Sequence, residues 1–212
     1  RNAVIEDLVL RQSGTDVYDK WVAGDVKFTD QPIVDAFDSL GKILLNHDYV
    51  NAGFGDVRSI NSTAFADVAA KVADGTCAMT HQASFLSSNF LDVKTAAGET
   101  PKVAADGDVY AFVLPGTKEG ETQVEAGGEF VAAFNDNEAT AKVQEFMASA
   151  DFANARVKLG GVISANKNAD PSLASSEFLQ EAMTTLQDET TVFRFDASDL
   201  MPSTVGSGSF WK

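Results

Sequence analysis

The sequence predicts an α/β fold, rich in helix and carrying a small sheet. Apolar residues recur at helical spacing through most of the longer segments, while β-branched and aromatic runs stand singly between them. No repeat of fixed period interrupts this pattern.

The elements follow in order. RNAVIEDLVL, at the start, reads as the interior of a helix. In TDQPIVDAFDSLGKILLNHDYV, Ile33, Phe37, Leu40 and Leu44 share one helical face, Asp30 stands where an N-cap belongs, and Pro32 lies in the first turn. In STAFADVAAKVADG the stripe is Phe65, Val68, Ala69 and Val72, and Gly75 suits a left-handed stop. CAMT, residues 77–80, reads as a short buried strand. VYAFVLPG, residues 109–116, reads as a strand entering a Pro-Gly turn, and EFVAAF, residues 129–134, as another strand. NEATAKVQEFMAS is a helix with Ala139, Val143, Phe146 and Met147 on one face. FANARVKLGG is a shorter helix stopped by Gly160 and Gly161, and SSEFLQEAMTTLQ carries Leu179, Met183 and Leu186.

Composition narrows the function classes. The 212 residues hold 16 basic and 31 acidic side chains, a formal charge of −15. Such a balance argues against nucleic acid and anionic membranes, which require clustered Lys and Arg. Cys77 is the single cysteine and has no partner for an internal disulfide; its flanks suit a buried small hydrophobe. No apolar run approaches the ~20 residues needed to span a bilayer, and residues 1–25 lack a signal-peptide pattern. The abrupt ends suggest a piece of a longer protein, with any leader or lipid anchor elsewhere.

Motifs for catalysis are sparse. The two histidines, His47 and His81, form no HExxH pattern and there is no CxxC, so neither a zinc site nor another metal or cofactor is expected. GxSxG and Walker patterns are absent. VGSGSF, residues 205–210, lacks the spacing of a phosphate loop. Asp196 and Asp199, three apart, suit a solvated or capping pair, a pair that binds ligand hydroxyls, or an acid/base pair. Gly127 and Gly128, ahead of the 129–134 run, mark either a plain turn or a close backbone approach. Phe85, Phe210 and Trp211 lie among Ser and Gly, outside any helical stripe. They are core residues or platforms for a flat ligand, and an aromatic face beside Gln, Asp or Glu is what a sugar cleft requires.

Taken in order, DGTCAMTHQASF, YAFVLPG, GGEFVAAFNDNEATAKVQEFMAS, GGVISANKN and FRFDASDLMPSTVGSGSFW resemble the carbohydrate-binding proteins of bacterial ABC importers. These are extracellular solute-binding proteins related to maltose-binding protein, and the match lies toward their α-glucoside branch. It runs over nearly the whole chain. The resemblance implies a type II periplasmic-binding-protein fold: residues 1–108 as the first part of a C-terminal lobe, 109–150 as a segment crossing to an N-terminal lobe largely missing here, and 151–212 as the return. It also implies stacking of a sugar on Phe85, where the family has Trp, and on Trp211, which follows the Met201-Pro202 and Phe210 of the motif. Gly127, Gly128 and Glu129 match the family's Gly-Gly-acidic turn.

Gln82 and Asp199 are expected as further hydroxyl partners, with His81 a weaker candidate. The expected role is non-catalytic: a monomer capturing an oligosaccharide at the outer face of the cell or in the periplasm, possessing or lacking a lipid anchor, and delivering it to permease subunits. The rivals are the same fold with a non-sugar ligand, a glycoside-processing domain using Asp196, Asp199 or Glu129, and an adhesin.

Overall fold

The structure is a computed structural model describing residues 2–50 and 63–210. It opens with α1 (Asn2–Ala23), whose two helical stretches meet at Gly14, a residue outside helical dihedrals at φ 78°. The inward face of α1 carries Ile5, Val9, Leu10, Tyr18 and Trp21, all buried. α2 (Gln31–Leu44) packs on it through Ile33 and Ala36, whereas Phe37, expected on the same stripe, stays 42% exposed. Asp30 sits at the N-cap position, and its side chain accepts the Lys27 amide at 2.8 Å. Trp21, Phe28 and Phe210 close this first core edge-to-face, with centroids 5.2–5.5 Å apart.

Two smaller cores lie elsewhere. α3 (Asp67–Ala73) and α4 (Leu86–Asn89) bury Ala69 and Leu86 against Phe90 and Val109. α6 (Ala150–Leu159), a 3-10 turn at Pro171–Leu173 and α7 (Glu177–Gln187) enclose Val157, Leu179 and Met183. Gly160 and Gly161 end α6 at φ 84° and 73°, left-handed values that L side chains resist, as the sequence leads one to expect. Ser149 and Ser176 cap α6 and α7 by accepting the Phe152 and Leu179 amides. Between α4 and α6 runs α5 (Glu138–Met147), helical as expected but burying no residue; its apolar stripe leaves Val143 and Phe146 exposed.

The sheet departs from expectation. Its two described strands are β1 (Gln123–Ala126) and β2 (Val192–Phe195), parallel, with Gln123 opposite Val192 and Ala126 opposite Phe195. Residues 77–80, 110–116 and 129–134 form no ladder; Val109 alone bridges to Val103. A strand needs a backbone partner as well as β-favouring side chains. At 109–116 and 129–134 the side chains suit a sheet and no partner strand is present among the described residues. The 77–80 run is instead held by the Cys77 amide, which donates to the Lys71 carbonyl, and Cys77 is only partly buried.

α8 (Ala197–Leu200) follows β2 directly. Asp196 is its N-cap, accepting the Asp199 amide at 3.2 Å, so the two aspartates are cap and first-turn residue rather than neighbours on one face. The glycine-rich run winds as a π-turn, Gly206–Phe210. A side chain at Gly206 would run into the Ser198 carbonyl, so this glycine serves close packing that carries Phe210 to Trp21. Among the described residues no helix is long and apolar enough to cross a membrane.

Candidate ligand-binding site

The polar centre of the molecule lies between α1 and the sheet. Strand parity places Gln123 and Glu125 on one face of β1, and Arg194 and Asp196 on the matching face of β2. That face looks onto α1, because Glu6 meets Glu125 and Asp196 there and Arg194 grips Asp19 at 2.6 and 2.8 Å. The Tyr18 hydroxyl donates to the Phe195 carbonyl at 2.7 Å. The opposite face is aromatic: Phe193 and Phe195 lie 5.1 Å apart, and Phe130 lies 5.6 Å from Phe195.

Arg11 fastens this centre. Its Nε donates to both oxygens of Asp7 at 2.8 and 2.7 Å, its Nη1 to the Pro115 carbonyl at 2.7 Å and its Nη2 to the Gln123 carbonyl at 2.8 Å. Asp7 and Arg11 are both buried. One planar guanidinium therefore ties α1 to both ends of the 115–123 loop. Inside that loop a concavity of about 360 Å³ is lined by residues 115–122 alone, away from the predicted ligand residues.

Three carboxylates come together between α1 and the two strands. Oxygens of Glu6, Glu125 and Asp196 all lie within 4.8 Å of one another. Glu6 Oε2 accepts the Ala197 amide at 2.6 Å and the Ser198 amide at 3.4 Å. Burial, then the contact with Asp196, raises the Glu6 pKa to about 8. Burial, then the charges of Glu6 and Asp196, raises that of Glu125 to about 9. Asp199, at the rim, is also raised, first by desolvation and then by Asp196.

The predicted residues fall into separate groups. Gly127 and Gly128 follow β1, and Asp199 lies in α8 just after β2, so all three sit at the carboxyl ends of the parallel strands. A Cβ on Gly127 would lie 4.0 Å from Asp199 Oδ2, and one on Gly128 would lie 3.6 Å from Phe195 Cε1; both positions have room for a methyl group. Glu129 is exposed next to them. Phe85 and Gln82 belong to another loop. Phe85 opens α4, 47% exposed, with Phe65 edge-on at 5.7 Å. Gln82 Oε1 accepts the amide of Ala83. His81 links that loop to the polar centre, its Nε2 lying 4.0 Å from Asp7 Oδ2. Its pKa is lowered by desolvation, which outweighs the pull of Asp7. Trp211 lies outside the described residues.

Sequence reading missed Glu6, Asp7, Arg11, Gln123 and Glu125. One signal for them was present: Glu6 and Asp7 interrupt the apolar run from Ala3 to Leu10 and Arg11 follows it, with Asp7 and Arg11 at i,i+4.

No family model and no solved structure matches the chain. Two relatives do. The osmoprotective compounds-binding protein GgtB of Synechocystis is 31% identical over 210 residues, 98% of this chain and 47% of its own length. The alpha-glucosides-binding periplasmic protein AglE of Rhizobium meliloti is 29% identical over 211 residues, again 98% of this chain and 43% of its own length. The chain thus spans about half the length of the curated relatives it matches. Alignment over nearly every residue with two binding proteins agrees with the five ordered motifs, and along 98% of its length this chain is similar to solute-binding proteins.

Proposed function

We propose that the chain is part of the substrate-binding component of an ABC importer, capturing an oligosaccharide of the α-glucoside class outside the cell and presenting it to the permease. The observation that carries this reading is the arrangement at the carboxyl ends of β1 and β2. Open α/β sheets bind ligands outside those ends. Here Gly127, Gly128 and Asp199 meet beside the Phe130–Phe195 pair, which sets a carboxylate acceptor next to aromatic faces. Aromatic faces suit the C–H side of a pyranose, and a carboxylate suits its hydroxyls. Gln82, Phe85, Glu129 and Trp211 complete the proposed contact set.

The region 109–150 fits a segment shared with a second lobe. Tyr110, Phe112 and Leu114 are exposed, as are Phe130, Phe134, Val143 and Phe146. The remaining half of the relatives' length would cover them and supply the opposite wall of the cleft, with 1–108 and 151–212 forming the present lobe. Closure of the two walls over a bound sugar is the proposed working motion. Catalysis has no part in it, and both relatives are named as binding proteins.

Calorimetric titration of the full-length parent with α- and β-linked oligosaccharides tests the reading, with Trp211→Ala alongside. Saturable binding of one linkage class, weakened at least about tenfold in the variant by loss of a stacking face, is the expected result. Absence of heat with every sugar would redirect the reading to a non-sugar solute, for which the name of GgtB gives the specific precedent of osmoprotective compounds.

A further inference from the structure

We propose that the kink of α1 at Gly14 lets this helix clamp the β2–α8 junction from both of its halves, making Tyr18 and Glu6 positioning residues for the wall of the binding site that Phe195 and Asp199 form. The role rests on the reading of the strand ends as the ligand site.

The junction is held one peptide after another. A trans peptide points its N–H and its carbonyl in opposite directions. Between Phe195 and Asp196 the N–H donates to the Ala126 carbonyl at 3.1 Å, so the carbonyl faces away from β1, and there the Tyr18 hydroxyl donates to it at 2.7 Å. Glu6 Oε2 then accepts the Ala197 amide at 2.6 Å and the Ser198 amide at 3.4 Å. Glu6 and Tyr18 are both fully buried. The wall is built on these peptides: Phe195 carries the ring that meets Phe130, and Asp196 caps the turn that presents Asp199 beside Gly127.

Helix geometry explains how two residues so far apart share this role. A straight helix would hold the Cα atoms of positions 6 and 18 about 18 Å apart along its axis and about a third of a turn apart around it. Phe195 and Ala197, which they grip, are separated by a single residue, a span of at most about 7 Å. Gly14, at φ 78° and ψ 177°, occupies a region that essentially only glycine enters, and it divides α1 into two helical stretches. Glu6 reaches the junction from the first stretch and Tyr18 from the second. Asp19, next to Tyr18, holds Arg194 at 2.6 and 2.8 Å and extends the second grip by one residue.

The test is amide hydrogen exchange of the ligand-free full-length parent, resolved by residue, together with calorimetric titration with α-linked gluco-oligosaccharides from maltose upward. Tyr18→Phe keeps the ring that packs against Trp21 and removes only the donor. Exchange is expected to quicken about three- to tenfold at the amides of 196–199 while α2 is unchanged, and sugar affinity is expected to fall by a similar factor, the worth of one hydrogen bond. Glu6→Gln, which keeps an acceptor for the Ala197 amide, retains the protection that Glu6→Leu loses. Gly14→Ala, whose methyl would meet nothing within 4 Å, acts on the backbone alone and loosens both grips. Junction exchange unaltered by Tyr18→Phe, or quickened equally in α2, overturns the proposal and leaves Tyr18 a residue of the core only. Undiminished affinity in a variant whose junction has loosened overturns it as well. A wild type that binds none of the sugars sinks the carbohydrate reading instead, and exchange then decides the clamp by itself.

Discussion

Arg11 shows how one side chain sets the geometry of a larger region. Replacing it by Ala leaves the buried Asp7 carboxylate uncompensated and two carbonyls without a donor. Breaking a buried pair from one side costs about 3–5 kcal/mol. Urea denaturation of Arg11→Ala is expected to show a loss of that size, and Arg11→Lys is expected to recover little of it, because an ammonium cannot reach Asp7, Pro115 and Gln123 from one plane. The carboxylate cluster gives a prediction of opposite character, in pH. The pKa values of Glu6 and Glu125 are raised by folding from 4.5 to about 8 and about 9. The folded chain therefore holds protons that the unfolded chain has released, and stability falls as pH rises from about 4.5 to about 9. Urea midpoints measured across that window should decline, and Glu125→Gln should flatten the slope. A slope unchanged by this variant would remove Glu125 as its source.

At the level of elements, the helices were legible and the sheet was not. α2, α5, α6 and α7 carry their own signals: a 3.6-residue apolar period, Ser or Asn caps, and the Gly160-Gly161 stop. These depend on residues within a few positions of one another, which a sequence displays directly. A strand depends on what lies beside it. VYAFV and EFVAAF have the composition of buried strands, yet they lack a ladder here. QVEA, a polar stretch, is paired because Val192–Phe195 runs alongside it. The charged face of β1 is also the one α1 covers, so the usual pattern of apolar inside and polar outside misleads at this position. The candidate site divides in the same way. Gly127, Gly128 and Asp199 lie in the ordered motifs and sit close together at the strand ends, while Glu6 and Arg11 lie more than a hundred residues from Glu125, so no spacing in the sequence reveals that they meet.

Over the whole molecule, burial is uneven, and that unevenness predicts how the chain opens. The first core draws α1, α2, α8 and Phe210 together, with Val9 and Leu10 fully buried and Trp21 at 2% exposure. The other two cores consist of fewer residues, and α5 buries none. Exposure of backbone amides to exchange follows local burial, since segments with few apolar contacts open without the rest. Hydrogen exchange should therefore be slowest along α1 between Ile5 and Leu10 and near Trp21, intermediate in α6 and α7, and fastest in α5 and residues 129–134. Protection of α5 equal to that of α1 would show that its exposed Val143 and Phe146 are covered in solution. Dilution then separates two causes: protection that falls with concentration marks contact between copies of the chain, while protection that persists marks docking of α5 onto its own chain. The first would tell against the expected monomer and show that this stripe is sticky enough to find a partner, as a surface meant for the proposed second lobe would be. The second would place the stripe in a core of its own and leave 110–114 and 129–134 as the surface for that proposed lobe.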